Sequence, residues 1–393
     1  MDPTNLGERT TPHYSLYQKQ IFINGRHGEY PIFNTDPAYM EQESNKVLSE
    51  GGWHYAASNA GQYQTDRANK ESFYHWRIIP RMLRQTSARD TTTTLFGFKI
   101  PMPIGFAPIV AGELGLPYCL STAGSSSIED VAASNHEGSK KREHGYGTDE
   151  NGNKVESKIS YLKSKDAAKS GPRFFQLYLP HDDELTISML TRAHNSGFDV
   201  CILTLDTWQL AWRHNDIATA NYAFYKGMGA ELGTSDPVFM KRMKDLNIDD
   251  PKVIGEKWID SVWHGRSHTW EKIPWVIEQW KKISNNKPFC LKGIQCAEDA
   301  LLALKIGVDG IVVSNHAGRQ VDGAVASLDA LPDIVSAVGD KMTVMFDSGV
   351  RSASDVFKAI ALGAKCVFVG RLWVWGLSLR GEQGVRHVMK SLM

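Results

Sequence analysis

The chain has 393 residues, of which 42% are hydrophobic, and it carries 44 Lys+Arg against 44 Asp+Glu. This length suits one large barrel or two ordinary domains, and the apolar content is sufficient for a sizeable core. The balanced charge predicts no nucleic-acid partner, and no run approaches the roughly 18 apolar residues of a membrane helix, so we expect no membrane partner.

The N-terminus and the cysteines predict the cellular compartment in which the protein resides. Residues 1–14 are polar and lack the apolar stretch of a signal peptide. Five cysteines, mostly inside apolar runs and without a C-x-x-C pair, are Cys119, Cys201, Cys290, Cys296 and Cys366. This usage is typical of reduced core residues, so we expect an intracellular, cytoplasmic protein without a metal site.

The first hundred residues precede the region of regular strands. Residues 53–57 read Trp-His-Tyr-Ala-Ala, and the spacing predicts a helix around residues 66–76. We expect residues 1–100 to form a helical segment that packs on a barrel of residues 101–393, not an independent domain.

From about residue 103, short apolar runs alternate with amphipathic segments. The runs predict eight buried strands, at 103–109, 117–122, 173–179, 199–206, 288–294, 310–315, 343–347 and 366–370. Between them, Leu185, Met189 and Ala193 recur every fourth residue before Gly197, and Ser352 or Ser354 can cap a helix that Gly363 ends.

Eight strands separated by helices favour a (β/α)₈ TIM barrel. A doubly wound sheet is the alternative, disfavoured because no G-x-G-x-x-G follows the first strand. Residues 136–171 are polar and predicted to be a mobile insertion. Residues 217–274 form a long, aromatic-rich loop that we expect to pack on the barrel and act as a lid.

Polar residues at the strand ends are the candidates for chemistry, because the carboxyl ends of barrel strands meet at one mouth. From the third to the eighth strand they are Gln176, Tyr178, Thr204, Asp206, Arg213, Lys292, Ser314, His316, Arg319, Asp347, Gly349, Arg351, Gly370 and Arg371. A single one of them is most often a satisfied polar group at a strand end. The convergence of the whole set predicts a site.

The seventh and eighth strands end in Asp-Ser-Gly-Val-Arg, residues 347–351, and in Gly370-Arg371. In (β/α)₈ barrels these two loops often bind phosphate through backbone N–H groups, with Arg supplying charge. A phosphate site beside Lys292 and His316 predicts a nucleotide cofactor and an anionic substrate.

Residues 314–324 read Ser-Asn-His-Ala-Gly-Arg-Gln-Val-Asp-Gly-Ala. Arg319 can clamp a carboxylate, and His316 can remove a proton from the neighbouring carbon or hydroxyl. The segment resembles the S-N-H-G-[AG]-R-Q signature of the FMN-dependent α-hydroxy acid oxidases and dehydrogenases. Ala317 replaces the first Gly, which is acceptable if it keeps a negative φ. The resemblance covers residues 17–392 and is strongest to lactate 2-monooxygenase-like members.

The resemblance implies FMN as cofactor and a role for each matching residue. Catalysis would use His316, oriented by Asp206. The matching substrate contacts are Tyr55, Tyr178, Arg213 and Arg319. The matching FMN contacts are Ala107, Pro108, Ser121, Gln176, Thr204, Lys292, Ser314, Asp347, Ser348, Gly349, Arg351, Gly370 and Arg371.

The implied reaction is oxidation of a lactate-like (S)-2-hydroxy acid to the 2-keto acid, with O₂ as acceptor. Peroxide either leaves or reacts with the keto acid to give the shortened acid and CO₂. The resemblance also implies a homo-oligomer. Ala123 stands where some members carry a bulky aromatic, which suggests a roomier pocket.

Two departures from the family pattern keep alternatives open. The first crossover helix and the C-terminus are shortened, and we expect apolar barrel surface to be left uncovered. A truncated relative that is non-catalytic or binds flavin poorly is therefore the main alternative. A different phosphate-binding barrel enzyme, such as an isomerase, is the other.

Overall fold

The computed structural model describes residues 16–84, 90–106, 114–142, 146–148, 154–156 and 171–393. Eight parallel strands form a closed barrel: β1 (Ile104–Phe106), β2 (Tyr118–Leu120), β3 (Arg173–Leu177), β4 (Val200–Thr204), β5 (Phe289–Ile294), β6 (Gly310–Val313), β7 (Thr343–Phe346) and β8 (Val367–Val369). Each strand pairs with its neighbours in sequence, and β8 closes the ring on β1 through the pairs Val367–Ile104, Phe368–Gly105 and Val369–Phe106. The predicted (β/α)₈ barrel is confirmed, and a doubly wound sheet is excluded because that sheet would be open.

Within the described residues before β1, the chain forms four helices and a hairpin. The helices are α1 (Leu16–Gly25), α2 (Pro37–Val47), α3 (Glu50–Ala57) and α4 (Gln64–His75), and the hairpin pairs Thr93–Leu95 with Phe98–Ile100. Leu95 and Ile100 are buried among the side chains that fill the barrel interior. The hairpin residue Phe96 approaches Gly310, the first residue of β6. The hairpin therefore closes the amino-terminal end of the barrel and leaves the opposite mouth for a site.

The remaining helices follow the strands. They are α5 (Ile128–Arg142), α6 (Asp183–Asn195), α7 (His214–Ala218), α8 (Glu231–Thr234), α9 (Pro237–Asp245), α10 (Pro251–Val262), α11 (Ile273–Ser284), α12 (Ala297–Lys305), α13 (Ser327–Val338), α14 (Ala353–Ala361) and α15 (Arg371–Leu392), with 3₁₀ helices at Ala223–Lys226 and His316–Gly318.

The caps explain two of these helix boundaries. Asp182 caps α6 by accepting a hydrogen bond from the Leu185 amide at 2.8 Å. Ser352 caps α14, where its hydroxyl and the carboxylate of Asp355 each accept a backbone N–H. The cap predicted at Ser352 is thereby confirmed.

The two long connections differ in how much of them the structure describes. The predicted insertion at 136–171 begins inside α5, so its first residues are helical. Apart from the paired strands Tyr146–Thr148 and Lys154–Glu156, its remainder up to residue 170 lies outside the described residues. The connection at 217–274 is not a bare loop. It contains α8, α9, α10 and a 3₁₀ helix, and buries Phe224, Phe239 and Trp258.

Residues 107–117 join β1 to β2, and residues 107–113 lie outside the described part of the chain. This connection is shorter than the dozen or more residues of a usual parallel crossover, as the sequence predicts. The expected exposure of apolar strand surface is wrong, however, because every residue of β1 and β2 is buried. Leu116 and Ile128 belong to the same packed core as Ile104 and Phe106.

The cysteine prediction holds with one correction. All five cysteines are free, and Cys119, Cys201, Cys290 and Cys366 are buried. Cys296 is exposed because it lies at the N-cap position of α12, outside the core.

Candidate active site

The ends of β4 and β6 bring a histidine, a carboxylate and a hydroxyl together. His316 Nδ1 lies 2.8 Å from Asp206 Oδ1 and 2.9 Å from Thr207 Oγ1, and the Thr207 hydroxyl donates to Asp206 Oδ1 at 3.0 Å. A carboxylate can only accept hydrogen bonds, so Nδ1 carries the proton and Nε2 is the basic nitrogen of the neutral ring. Sequence reasoning missed Thr207, although it directly follows Asp206.

Burial decides the charge of this histidine. It lowers the pKa of His316 below its ordinary value of 6.5, and the nearby Lys292 ammonium acts in the same direction, while Asp206 opposes them. At neutral pH the imidazole is therefore uncharged and able to accept a proton at Nε2.

Lys292 on β5 ties this group together. Its Nζ donates to Ser314 Oγ at 2.8 Å and lies 3.4 Å from Asp206 Oδ2 and 3.6 Å from Asp347 Oδ2. Burial works to lower the pKa of Lys292, but the two carboxylates outweigh it and the pKa is raised. Burial works to raise the pKa of Asp206, but Lys292 and His316 hold it well below its usual range. The lysine is a cation and Asp206 an anion at neutral pH.

The backbone of the 3₁₀ turn differs from expectation. Ala317 has φ 54° and ψ 36°, and His316 has φ 55°, so both residues lie in the left-handed region. Ala317 therefore does not meet the condition, a negative φ, under which an alanine is readily accepted at this position. Its amide donates to Ser348 Oγ at 3.0 Å, which holds it in a conformation that suits Gly better.

The next residue of the turn must be glycine. Gly318 has φ 74°, and a Cβ there would lie 2.6 Å from the amide nitrogen of Asp66. Helix α4 therefore packs directly on this turn, and the N-terminal segment forms part of the wall around His316.

Polar residues at the carboxyl ends of β2, β3 and β4 form a second group. Gln176 Nε2 donates to Thr204 Oγ1 at 2.9 Å, while its Oε1 accepts from the Thr122 amide at 3.0 Å and from Ser121 Oγ at 3.3 Å. This chain joins three of the predicted cofactor contacts. Thr122 was missed because nothing in its sequence context separates it from an ordinary strand residue.

The loops after β7 and β8 carry the predicted phosphate residues. Ser348 and Gly349 have φ of 89° and 84°. A Cβ on Gly349 would lie 2.5 Å from the carbonyl oxygen of Asn69, whereas one on Gly370 would meet open space. Arg351 Nη2 is buried and has no hydrogen-bond partner within the described ranges. These loops thus offer a donor that is still available to an anion.

Arg371 is placed differently from the other phosphate residues. Its guanidinium donates to Asp66 Oδ1 at 3.1 Å and also to Asn59 Oδ1. Burial and the nearby Arg319 lower the pKa of Arg371 to about 10. The structure therefore has Arg371 fastening the N-terminal segment to the mouth. The sequence alone offered no sign of its pairing with Asp66.

Two arginines lie side by side at the mouth, Arg213 buried and Arg319 half-buried. Arg213 Nε donates to the carbonyl oxygen of Arg319 at 3.0 Å, and Arg319 donates to the carbonyl oxygens of Ser58 and Tyr55, each at 2.8 Å. The guanidinium of Arg319 also lies 5.7 Å from the Tyr55 ring centre. Burial and the charge of Arg213 lower the pKa of Arg319 to about 9. A bound anion would relieve this repulsion.

Aromatic residues complete the mouth. Tyr178 is buried and stacks on Trp263 with ring centres 4.7 Å apart, and burial raises its pKa, so its phenol stays neutral. Next to Trp263, His264 Nε2 lies 2.8 Å from the Tyr222 hydroxyl, and His264 Nδ1 lies 3.0 Å from Asp260 Oδ1. Sequence reasoning identified residues 217–274 only as aromatic-rich and missed this hydrogen-bond chain.

The residues present fit FMN. The unpartnered Arg351 nitrogen, the open space at Gly370 and the positive φ of Gly349 suit a phosphate, and the group around Gln176 offers the amide and hydroxyl partners of a polar ring edge. Lys292 would supply positive charge to a reduced flavin. Ala107 and Pro108, the two other predicted contacts, lie outside the described residues.

Across the described ranges, no cluster of side chains could hold a metal ion.

A family model described as FMN-dependent dehydrogenase matches residues 44–146 and 148–393. The chain belongs to this FMN-dependent dehydrogenase family. It is 40% identical to the FMN-dependent alpha-hydroxy acid dehydrogenase qulF of Penicillium citrinum, over 100% of this chain and 91% of the relative. It is 35% identical to an L-lactate oxidase of Lysinibacillus sphaericus, over 92% and 86%. A solved structure of mandelate oxidase has a TM-score of 0.69 at 26% identity, covering 92% of each chain.

Family membership fixes the cofactor and the type of reaction. The protein is an FMN-dependent enzyme of α-hydroxy acid oxidation, which confirms the cofactor and reaction class expected from the sequence. In the part of the chain that is described, no helix is both long and apolar enough to span a bilayer.

Proposed function

We propose that this protein oxidises an (S)-2-hydroxy acid to the corresponding 2-keto acid and passes the electrons to O₂. The observation that carries the proposal is the His316–Asp206 pair, in which the 2.8 Å contact at Nδ1 leaves Nε2 as a base near the arginines Arg213 and Arg319. A base next to a carboxylate clamp suits a substrate whose hydroxyl lies on the carbon adjacent to its carboxylate.

Each side chain then has a definite role. Arg213 and Arg319 bind the substrate carboxylate, and Tyr55 and Tyr178 donate hydrogen bonds to it and to the hydroxyl. His316 accepts a proton at Nε2, and Asp206 stabilises the imidazolium that forms. When bound, FMN accepts the two electrons that leave the substrate. Lys292 would offset negative charge gained at that stage.

The test is a product balance under air. The proposal predicts one 2-keto acid and one H₂O₂ for each O₂ consumed, with L-lactate or a larger L-2-hydroxy acid as substrate. If the enzyme oxidises the hydroxy acid with an added dye as electron acceptor but not with O₂, the proposal that O₂ is the acceptor is wrong. A protein that stays colourless after FMN is supplied would favour the truncated, non-catalytic alternative.

Retention of the product leads to a second outcome. Trp263 stacks on Tyr178 and so covers one side of the mouth, which favours slow escape of a keto acid. If peroxide is also retained, it can attack the keto acid, and the products become CO₂, water and an acid shortened by one carbon. Mass spectrometry of the products in the presence of catalase separates the two outcomes, because catalase removes only peroxide that has left the site.

A homo-oligomer and a cytoplasmic location stay predictions. Support for the oligomer comes from a short apolar segment, since Ile79, Met82 and Leu83 are 84%, 73% and 104% exposed. Exposed apolar residues that lie close together often mark an interface. Size-exclusion chromatography with light scattering would give the oligomeric state directly.

A further inference from the structure

A cavity of about 510 Å³ lies beside the reaction centre, between the end of β4 and the segment that leads into α11. Its lining is mixed, and the apolar part consists mainly of Leu203, Trp208, Val262, Trp263 and Trp270. Two lining residues already have proposed roles, Thr204 with the cofactor and Tyr178 with the substrate, but the part of the cavity lined by the three tryptophans has none.

The cavity adjoins the groups that act on the substrate. Thr207 and Tyr178 both line it. The Thr207 hydroxyl is 2.9 Å from His316 Nδ1, the nitrogen that does not take the substrate proton, whereas Tyr178 is a proposed substrate contact and its ring stacks on Trp263. Through Tyr178, a substituent on the reacting carbon has this space next to it.

The distribution of charge along the lining shows which group fits. Leu203, Val262 and Trp263 are buried, whereas the charged lining residues Arg266 and Glu271 are exposed to solvent and Asp299 is half-buried. Ligand pockets of about 300–1,000 Å³ hold molecules far larger than a methyl group. Indole rings offer flat faces on which another aromatic ring can stack.

We propose that this cavity receives the side chain of the 2-hydroxy acid, and that the preferred substrates carry an aromatic side chain such as a benzyl or indolylmethyl group. The inference rests on the proposed function, since it presumes that a 2-hydroxy acid binds with its carboxylate at Arg213 and Arg319. A lactate methyl would leave most of the space unfilled.

The first test compares substrates on the wild-type holoenzyme. L-3-Phenyllactate and L-indole-3-lactate should have kcat/KM values at least about tenfold above that of L-lactate, because each buried methylene or ring atom adds to binding in the transition state. Tryptophan-fluorescence titration with 3-phenylpropionate and with propionate, neither of which can be oxidised at a hydroxyl, measures occupancy without turnover. 3-Phenylpropionate should bind about tenfold more tightly.

Two tryptophans on one loop give a matched pair of variants. Trp208 lines the cavity and is 51% exposed, whereas Trp212 is not among the lining residues and is 65% exposed. Since both side chains are half-exposed or more, Trp208→Ala and Trp212→Ala should fold. Trp208→Ala should lower the phenyllactate-to-lactate ratio of kcat/KM by about fivefold or more, and Trp212→Ala should leave that ratio unchanged.

The outcomes separate this inference from the proposed function. If L-lactate reduces the flavin as efficiently as the aromatic acids, or if Trp208→Ala lowers both activities equally, the cavity is not the side-chain site although the reaction stands. If no 2-hydroxy acid of any size reduces the flavin, both the reaction and this inference fall.

Discussion

The two sides of the barrel mouth satisfy their charges in different ways. On one side, Lys292, Asp206 and His316 bind one another through contacts of 2.8–3.4 Å, so the charges and the tautomer are set before any substrate arrives. On the other side, Arg213 has a carboxylate partner only at 3.8 Å, in Asp216, and the contacts of the half-buried Arg319 are to neutral carbonyl oxygens. The first side is preorganised, whereas the second is completed by an anion.

This difference separates binding from chemistry. A group whose partners are already in place costs little reorganisation during reaction, which favours the rate of the chemical step. A pair of like charges that an anion relieves favours selective capture of carboxylates. Substitutions on the first side should therefore act mainly on kcat, and those on the second side mainly on KM.

The largest effect is expected at the preorganised side. Asp206→Asn removes the charge that stabilises the imidazolium and allows the wrong tautomer of His316, so kcat should fall by about 10³-fold or more. The measurement is the rate of anaerobic flavin reduction. Thr207→Val is the matched control, because it removes a neighbouring hydroxyl but leaves the carboxylate, and should cost less than about tenfold. Equal losses in both variants would contradict the role of Asp206.

At the anion-completed side, Arg319→Met removes a charged donor and should lower kcat/KM by about 10²-fold, mainly through KM. Steady-state kinetics with L-lactate and L-3-phenyllactate would measure this. Both substrates share the carboxylate, so both should lose a similar factor. A loss confined to kcat would show that Arg319 acts in the chemical step instead.

The acid limb of the pH profile tests the burial of His316. Only neutral His316 can accept the proton, and its pKa is lowered, so kcat/KM should stay level at neutral pH and fall about tenfold per unit only below about pH 6.5. The substrate carboxyl titrates near pH 4 and cannot cause such a limb. An acid limb above pH 7 would mean that Asp206, not burial, controls the pKa of His316.

Anion binding should stabilise the fold, because it relieves the repulsion between Arg213 and Arg319. Oxalate at about 100 times its Kd should raise the stability of the holoenzyme by about 2.7 kcal/mol. Differential scanning fluorimetry would record the rise in Tm. The rise should disappear in Arg319→Met and persist in Trp212→Ala. A similar rise with a neutral diamide would show that charge relief is not the cause.

The smallest effect concerns the strained turn between the two sides. Ala317 adopts a left-handed conformation that costs an alanine about 1 kcal/mol, and Ala317→Gly removes this cost. The glycine also raises the entropy of the unfolded chain, which lowers the free energy of unfolding by about 0.5–1 kcal/mol. Urea unfolding should therefore show a change of less than about 1 kcal/mol, neutral or stabilising. Ala326→Gly is the control, since Ala326 has φ −65° and should lose stability. A clear loss of stability in Ala317→Gly would show that the alanine is not strained in this conformation.

The sequence predicted the barrel well because its signals are local. Each strand is a short apolar run between turn residues, and all eight predicted runs contain one strand of the barrel. The His316, Asp206 and Lys292 group was also predictable, because residues at strand ends must converge once the fold is known.

The rest depends on contacts between distant parts of the chain. Arg371 binds Asp66 and Asn59 of the N-terminal segment, and the turn at Ala317 is held by Ser348. Neither the periodicity of apolar residues nor the spacing of motifs along the sequence indicates such pairings. The cavity beside Thr207 likewise exists only after the segment that contains Trp263 folds back over the end of β4.

Anaerobic addition of an L-2-hydroxy acid to the FMN-loaded protein is the decisive measurement. The visible absorption of the flavin should bleach in the wild type, and at least about 10³ times more slowly in Asp206→Asn. A flavin that stays oxidised with L-lactate, L-3-phenyllactate and L-indole-3-lactate alike, or that bleaches equally fast in Asp206→Asn, would contradict it.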